Sequence, residues 1–192
     1  IIEIDKVFAK MSVAKSVDLR YFQSSKALYS VDFYKEYVEF IKPAILSIQG
    51  KARKALIFDC DNTLWRGIVG EDGTNGIKPF EEIQYLARDL AAQGVLLGLC
   101  SKNNAEDVEA VFREGPKMPL RSSDFVIKKV NWNDKVKNLG EIAKELNIGL
   151  DSLVFIDDSS YEVNYVRESL PEVKVLQVPE RLQDYPTLLR EN

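Results

Sequence analysis

The 192-residue sequence contains no histidine. That absence removes Ser-His-Asp and Cys-His pairs, His-ligated zinc and any histidine general base from the chemistry open to this chain. Cysteine is scarce as well, with Cys60 and Cys100 the only two. Two cysteines make neither a disulfide scaffold nor, alone, a structural zinc site, so a reducing, cytoplasmic setting is the expectation. No apolar run approaches the length of a membrane span, and no signal-peptide pattern opens the sequence. Internal repeats and low-complexity segments are missing too. Acids outnumber bases, 30 against 26, for a net charge of −4. That balance supplies no electrostatic argument for nucleic acid or an anionic membrane as partner. Chemistry here has to run on Asp, Glu, Lys, Cys, Ser and Thr.

What is present is an ordinary globular composition, 45% hydrophobic and 29% charged, with enough length to bury one core and some chain to spare. Opening at Ile1 and closing at Asn192, the sequence reads as a piece of a longer protein. The stretch that organises it is Ala55-Leu56-Ile57-Phe58-Asp59-Cys60-Asp61-Asn62-Thr63. It begins as a short apolar run, the mark of a buried parallel strand, and ends in two acids, an amide and a hydroxyl. Carboxylates at the end of a buried strand are costly unless they are paired or hold a cation. Asp59 and Asp61 are two apart and project the same way if the extended geometry continues. With Asn62 and Thr63 beside them they suit a hard cation such as Mg²⁺ and supply a nucleophile and a nearby acid/base.

Residues 1–50 read as an N-terminal arm and helix packing on a core formed by residues 51–192. The first thirty mix short apolar pieces, such as Ile1-Ile2-Glu3-Ile4, with polar stretches. From Val31 onward Tyr34, Tyr37, Val38, Ile41, Ile45 and Ile48 recur at helical spacing as a core stripe. Pro43 is expected to kink that helix or start a second one, and Gly50 to end it. The Gly-rich run 66–76, with Glu71-Asp72-Gly73 as its turn, reads as a hairpin. A helix with Ile83, Leu86, Ala87 and Leu90 on one face follows and closes at Gly94. Further strands are expected over 95–100, 124–128, 153–156 and 173–178, with helices between them and a last helix over 182–189. Asn103 or Asn104 is placed to cap the second of these helices and Asp134 the third. The alternation predicts an α/β fold, a three-layer Rossmann-like parallel sheet with helices on both faces. Ligands in such folds bind outside the carboxyl ends of the strands. Three predicted strands end there in polar clusters: Asp59/Asp61/Thr63, Ser101 and Asp157/Asp158.

Asp-x-Asp-x-Thr after the first strand, Ser101 after the second, a lysine, and Asp157-Asp158 after the fourth together resemble the motif set of the haloacid dehalogenase-like phosphotransferases. The resemblance covers about 54–178. It implies that Asp59 is the nucleophile that becomes an aspartyl phosphate, and that Asp61 protonates the leaving group and later activates water. It implies that Ser101 bonds the phosphoryl oxygens, that Lys135 neutralises charge, and that Asp158, assisted by Asp157, completes a Mg²⁺ site with Asp59 and the backbone carbonyl of Asp61. Lys128 and Lys129 are alternatives for the lysine. Asn62, Thr63, Lys102 and Asn103 are the candidate substrate-binding residues. The spacings from Thr63 to Ser101 and from Ser101 to Lys135 leave no room for a sizeable cap domain. An open site favours a macromolecular or carrier-tethered substrate, with Trp65 and the 66–76 hairpin as the only local lid.

The runs Asp-Asn-Thr-Leu-Trp-Arg-Gly-Ile-Val-Gly-Glu-Asp-Gly, Cys-Ser-Lys-Asn, Asn-Trp-Asn-Asp-Lys and Val-Phe-Ile-Asp-Asp are similar to the FkbH-like branch of that superfamily, associated with polyketide and related assembly lines. The resemblance implies a phosphorylated acyl substrate of the 1,3-bisphosphoglycerate kind, dephosphorylated and loaded onto an acyl carrier protein through a cysteine thioester. Cys60, inside the motif loop, is the candidate acyl nucleophile; Cys100, closing an apolar strand, reads as a packed side chain. Two other functions stay open: a plain phosphatase acting on a phosphoprotein or small phosphate ester, and a non-catalytic docking module. A degenerate docking module would be expected to have lost Asp59 or the Asp157/Asp158 pair, and all three are retained.

Overall fold

The computed structural model describes residues 3–50 and 52–191; Ile1, Ile2, Lys51 and Asn192 lie outside the described residues. The chain divides into two compact units, residues 1–52 and 53–192. The first is helical: α1 (Asp5–Met11), α2 (Val13–Ser16), α3 (Phe22–Ser25) and α4 (Val31–Ile48). Ser30 starts α4, its hydroxyl accepting from the Phe33 amide at 3.2 Å and donating to the Lys15 carbonyl at 2.8 Å. Of the two outcomes expected at Pro43, a kink or a second helix, the second does not occur. α4 runs through Pro43 as one 18-residue element, since a proline inside a helix removes one amide donor while its neighbours keep theirs. Of the expected core stripe, Tyr37 and Ile41 are half-buried, and the fully buried position is Phe33, which the spacing did not pick out. Phe33 is the buried aromatic, stacked on Tyr29 with centroids 4.4 Å apart and on Tyr37 at 6.1 Å, whereas Tyr34, Val38, Ile45 and Ile48 stay exposed within this unit.

The second unit begins with β1 (Ala55–Phe58), β2 (Trp65–Arg66), α5 (Val69–Gly76) and β3 (Lys78–Pro79). It continues with α6 (Glu81–Ala92), β4 (Leu96–Ser101), α7 (Ala105–Glu114) and β5 (Ile127–Val130). It closes with α8 (Lys135–Glu145), β6 (Leu153–Asp157), α9 (Ser160–Ser169), β7 (Lys174–Gln177) and α10 (Tyr185–Glu191). Five strands form one parallel sheet in the order β5-β4-β1-β6-β7.

Alternate residues of each strand face opposite layers. Leu56 and Phe58 join Leu97, Leu99, Val154 and Ile156 in a core covered by α6, α7 and α10. Ala55 and Ile57 join Leu153, Phe155 and Val175 on the other face, under α8 and α9. This double covering explains why the central strands β1, β4 and β6 read as continuous apolar runs. Gly98 serves the close packing at the centre of β4, where a Cβ would lie 2.7 Å from an Ile57 methyl and 2.8 Å from an Ile127 methyl.

Two sequence expectations in this unit are corrected. Residues 69–76 are helical, with a break at Gly73 (φ 67°, ψ 174°), so the turn at 71–73 closes no hairpin. The antiparallel pair is instead Trp65–Arg66 against Lys78–Pro79, with α5 spanning the gap between them. The strand expected at 124–128 begins at Ile127, because Ser122–Asp124 forms a turn of 3₁₀ helix held by Asp124 accepting from the Arg121 amide at 2.7 Å. No domain is inserted between Thr63 and Ser101 or between Ser101 and Lys135. No described helix is long and apolar enough to cross a membrane.

Candidate active site

β1 is the central strand and lies in register with both β4 and β6, so the chain leaving it emerges between the ends of its two neighbours. The Asp59 amide still donates to the Ile156 carbonyl at 2.9 Å; beyond it the chain turns, and the Thr63 and Leu64 amides fold back onto the Cys60 carbonyl at 3.2 and 2.8 Å. Asn62 takes the left-handed conformation at the corner (φ 52°), one that asparagine tolerates better than most residues.

Lys135 is the first residue of α8. That helix starts there because the Asp134 carboxylate accepts from the Val136 amide at 2.7 Å and caps it. The Lys135 ammonium donates to Asp59 Oδ1 at 2.7 Å and to Asp157 Oδ2 at 2.6 Å, with all three side chains nearly sealed from solvent. The alternatives are occupied elsewhere: Lys128 pairs with Glu109, and Lys129 with Glu141 and Glu145. Burial pushes the Asp59 carboxyl above the ordinary carboxylate range; the Lys135 ammonium pulls it back, and the Asp157 charge pushes the same way as burial. Burial works against the charge on Lys135 as well, but Asp59 and Asp157 outweigh it and hold the ammonium above its usual value. Half-buried Asp158 is raised by burial and then by the Asp157 charge.

Asp59, Asp157 and Asp158 offer carboxylate oxygens that all lie within 4.8 Å of one another. The Asp61 carboxylate stands outside this cluster and is held by three donors. The Trp65 indole N–H (2.9 Å) and the Val69 amide (3.1 Å) reach Oδ1, and Asn103 Nδ2 (3.0 Å) reaches Oδ2. Asn103 also donates to Ser101 Oγ at 3.2 Å. It is therefore a buried link between two loops, and Asn104 is the residue that starts α7.

The remaining candidates are placed as follows. Asn62 Oδ1 accepts from the Gly67 amide at 3.0 Å and so holds the turn. Gly67 (φ 106°) has to be glycine, because a Cβ would lie 2.8 Å from Asp72 Oδ2, the oxygen that takes the Ile68 amide at 2.8 Å. Thr63 is fully buried, its hydroxyl unpartnered and its carbonyl accepting from the Tyr185 hydroxyl at 3.2 Å. Lys102 is drawn to Glu162 Oε1 at 2.5 Å. Cys60 and Cys100 are free and fully buried. Burial raises both thiols, and the Asp59 charge adds to the effect, whereas a thiolate nucleophile needs the opposite shift. Trp65 is buried in the core against Phe112, so it forms a wall of the site where a lid had been expected.

Trp65 as a donor to Asp61, Glu162 as the partner of Lys102 and Tyr185 under Thr63 were not picked out from the sequence. Glu162 carried a faint signal, an acid in the first turn of the helix that follows Asp157-Asp158. The Trp65 and Tyr185 contacts depend on packing alone.

No family model and no curated protein matches the sequence. Among solved structures, the N-terminal part of the protein BF1531 from Bacteroides fragilis, containing a phosphatase domain and complexed with Mg, is 34% identical. The match covers 100% of this chain and 53% of that one, with a TM-score of 0.82. The fold is the haloacid dehalogenase-like fold. This chain spans about half the length of that neighbour. A haloacid dehalogenase family enzyme, bt-2542 from Bacteroides thetaiotaomicron, complexed with magnesium and inorganic phosphate, is 12% identical at a TM-score of 0.50, covering 65% of this chain and 93% of its own. The 3-deoxy-D-manno-octulosonate 8-phosphate phosphatase from Moraxella catarrhalis, with magnesium, phosphate and its sugar, is 16% identical at 0.50, covering 77% and 93%. Of these neighbours, the BF1531 fragment contains a phosphatase domain, the Moraxella protein is a phosphatase, and bt-2542 is a haloacid dehalogenase family enzyme. In this fold, Asp59, Ser101, Lys135 and Asp157 converge at the carboxyl ends of β1, β4 and β6.

Proposed function

We propose that this domain is a Mg²⁺-dependent phosphatase or phosphotransferase that uses Asp59 as its nucleophile. The observation that carries the reading is the cluster of three carboxylates, two of them bonded to one buried ammonium, beside an Asp61 held by three donors. The donor set fits a hard cation. It consists of oxygens alone, with no thiolate or imidazole aimed at it, and burial and mutual repulsion leave Asp59 and Asp158 short of compensating charge. Asp59, Asp157, Asp158 and the backbone carbonyl of Asp61 would hold the ion. When bound it offsets carboxylate repulsion and neutralises charge on the phosphoryl group.

An Asp59 carboxylate oxygen attacks phosphorus, and the bond to the leaving-group oxygen breaks. Lys135 holds Asp59 in place and balances charge, while Ser101 and Lys102 donate to the phosphoryl oxygens. Asp61 gives its proton to an alkoxide leaving group; an acyl phosphate, whose leaving group is a carboxylate, needs none. Water then attacks the aspartyl phosphate, Asp61 takes its proton, and Asp59 is regenerated with release of inorganic phosphate.

The substrate class we propose is a phosphorylated acyl group of the 1,3-bisphosphoglycerate kind destined for an acyl carrier protein, on the strength of the FkbH-like runs and the uncapped strand ends. A plain phosphatase is the second reading, favoured by the sealed, raised thiols of Cys60 and Cys100: acyl capture on Cys60 requires the 60–68 loop to open first. Released phosphate and intact mass, followed after incubation with Mg²⁺ and 1,3-bisphosphoglycerate, separate them. Phosphate release should fall at least about a thousandfold in Asp59→Asn and stop with a chelator. An acyl adduct lost in Cys60→Ser supports transfer, and release without an adduct supports the phosphatase. No Mg²⁺-dependent release from this or any phosphate ester would sink both.

A further inference from the structure

Away from the catalytic cluster, an open groove of about 820 Å³ lies along α7 and the 115–125 segment, and a second of about 380 Å³ adjoins it and shares Lys117, Met118 and Arg121. α7 starts beside Asn103 and runs about 15 Å from there. The 115–125 segment then feeds the start of β5, so this surface lies toward the amino ends of the strands, away from Asp59.

Its charge is the reverse of the chain's. Five cations and two carboxylates, Glu81 and Glu109, line the two grooves, in a sequence with 26 basic and 30 acidic residues. Glu109 is consumed by Lys128 and the Ser122 hydroxyl, at 2.6 Å each, and Arg113 pairs with Glu114. Lys117 and Arg121 are exposed side chains with no acidic partner among the described residues, and Arg88 rests over the Tyr85 ring, 4.8 Å from its centroid. The floor between them is apolar, made by Phe112, Met118, Leu120 and Phe125. Arginine, methionine and aromatic side chains together are the composition of a protein-binding patch.

We propose that this surface docks an acidic segment of a partner protein, with carboxylates meeting Arg88, Lys117 and Arg121 and an apolar side chain seated on Phe112 and Met118. Two contiguous open grooves suit an extended chain better than an enclosed small molecule. The negative charge of the rest of the domain disfavours a nucleic acid, whose phosphates would be repelled beyond the patch. The site is independent of the phosphatase reading.

The test uses the whole chain and three probes: a fluorescent peptide of alternating glutamate and leucine, a short DNA duplex, and inorganic phosphate as competitor. The peptide should bind, weaken as salt rises, and weaken at least about tenfold in the Lys117→Glu/Arg121→Glu double variant. Both positions are solvent-exposed, so the variant should keep the wild-type melting temperature. A neutral Phe112→Leu change, which alters the floor and leaves the charge intact, should also reduce binding. No peptide binding, binding indifferent to the double variant, tighter binding of the duplex, or displacement by millimolar phosphate would each overturn the proposal.

Discussion

Lys135 holds two carboxylates with one ammonium in a space nearly closed to water, and that arrangement fixes what substitutions there should do. Lys135→Met leaves Asp59 and Asp157 buried without a counter-charge, which costs about 3–5 kcal/mol; denaturant unfolding should show it directly. Asp59→Asn does the reverse. It removes the carboxylate that burial disfavours most, so the metal-free variant should melt no lower than wild type although it cannot turn over. The pH dependence has a definite sign. Because the folded state raises the Asp59 pKa above its ordinary value of 3.8, the folded form binds the Asp59 proton more tightly than the unfolded chain does. That contribution to stability is complete below about pH 4 and is lost as pH rises through the folded value. Lys135, also raised, keeps its stabilising charge throughout this range. Mg²⁺ competes with the Asp59 proton, so its addition should raise the melting temperature more at about pH 8 than at about pH 5. An equal rise at both would contradict the Asp59 assignment.

At the scale of elements, α5 and the turn before it set the position of Asp61, since the Trp65 indole and the Val69 amide both end on its Oδ1. Gly67→Ala places a methyl against Asp72 Oδ2 at a positive φ and should displace the start of α5. We expect kcat to fall about tenfold or more with the melting temperature lowered by only a few degrees; a loss of stability alone would contradict the link from α5 to Asp61. This element is also where the sequence was least legible. Glu71-Asp72-Gly73 carries strong turn chemistry, but here Asp72 spends its carboxylate on the Ile68 amide and so favours a helix start. The β5 boundary was lost for a similar reason, with Asp124 accepting from the Arg121 amide and closing a 3₁₀ turn. In α4 the spacing picked out Tyr37 and Ile41, which are half-buried, but not Phe33, whose ring stacks on Tyr29.

Over the whole molecule, the sheet was legible because its three central strands, β1, β4 and β6, are buried on both faces and therefore read as apolar runs ending in polar residues. Asp59, Ser101 and Asp157 could be grouped from that pattern, since parallel strands in register bring their ends together. The pattern could not show that Trp65, Val69 and Asn103 would close around Asp61, because those contacts follow from loop packing rather than from strand order. Cys60 is the clearest case of an environment that stayed hidden: it lies in the motif loop, yet its side chain belongs to the apolar core cluster that holds Phe58 and Leu64, whereas Cys100 is packed as its strand position suggested. The central claim is that Asp59 carries the phosphoryl group. The most direct measurement is to quench the enzyme in acid during turnover of a phosphate ester with Mg²⁺ and map the phosphoryl group by peptide mass spectrometry. The account predicts a hydroxylamine-labile phosphoryl group on the peptide holding Asp59, absent from Asp59→Asn; phosphate release that persists in that variant, or a phosphoryl group on another residue, would contradict it.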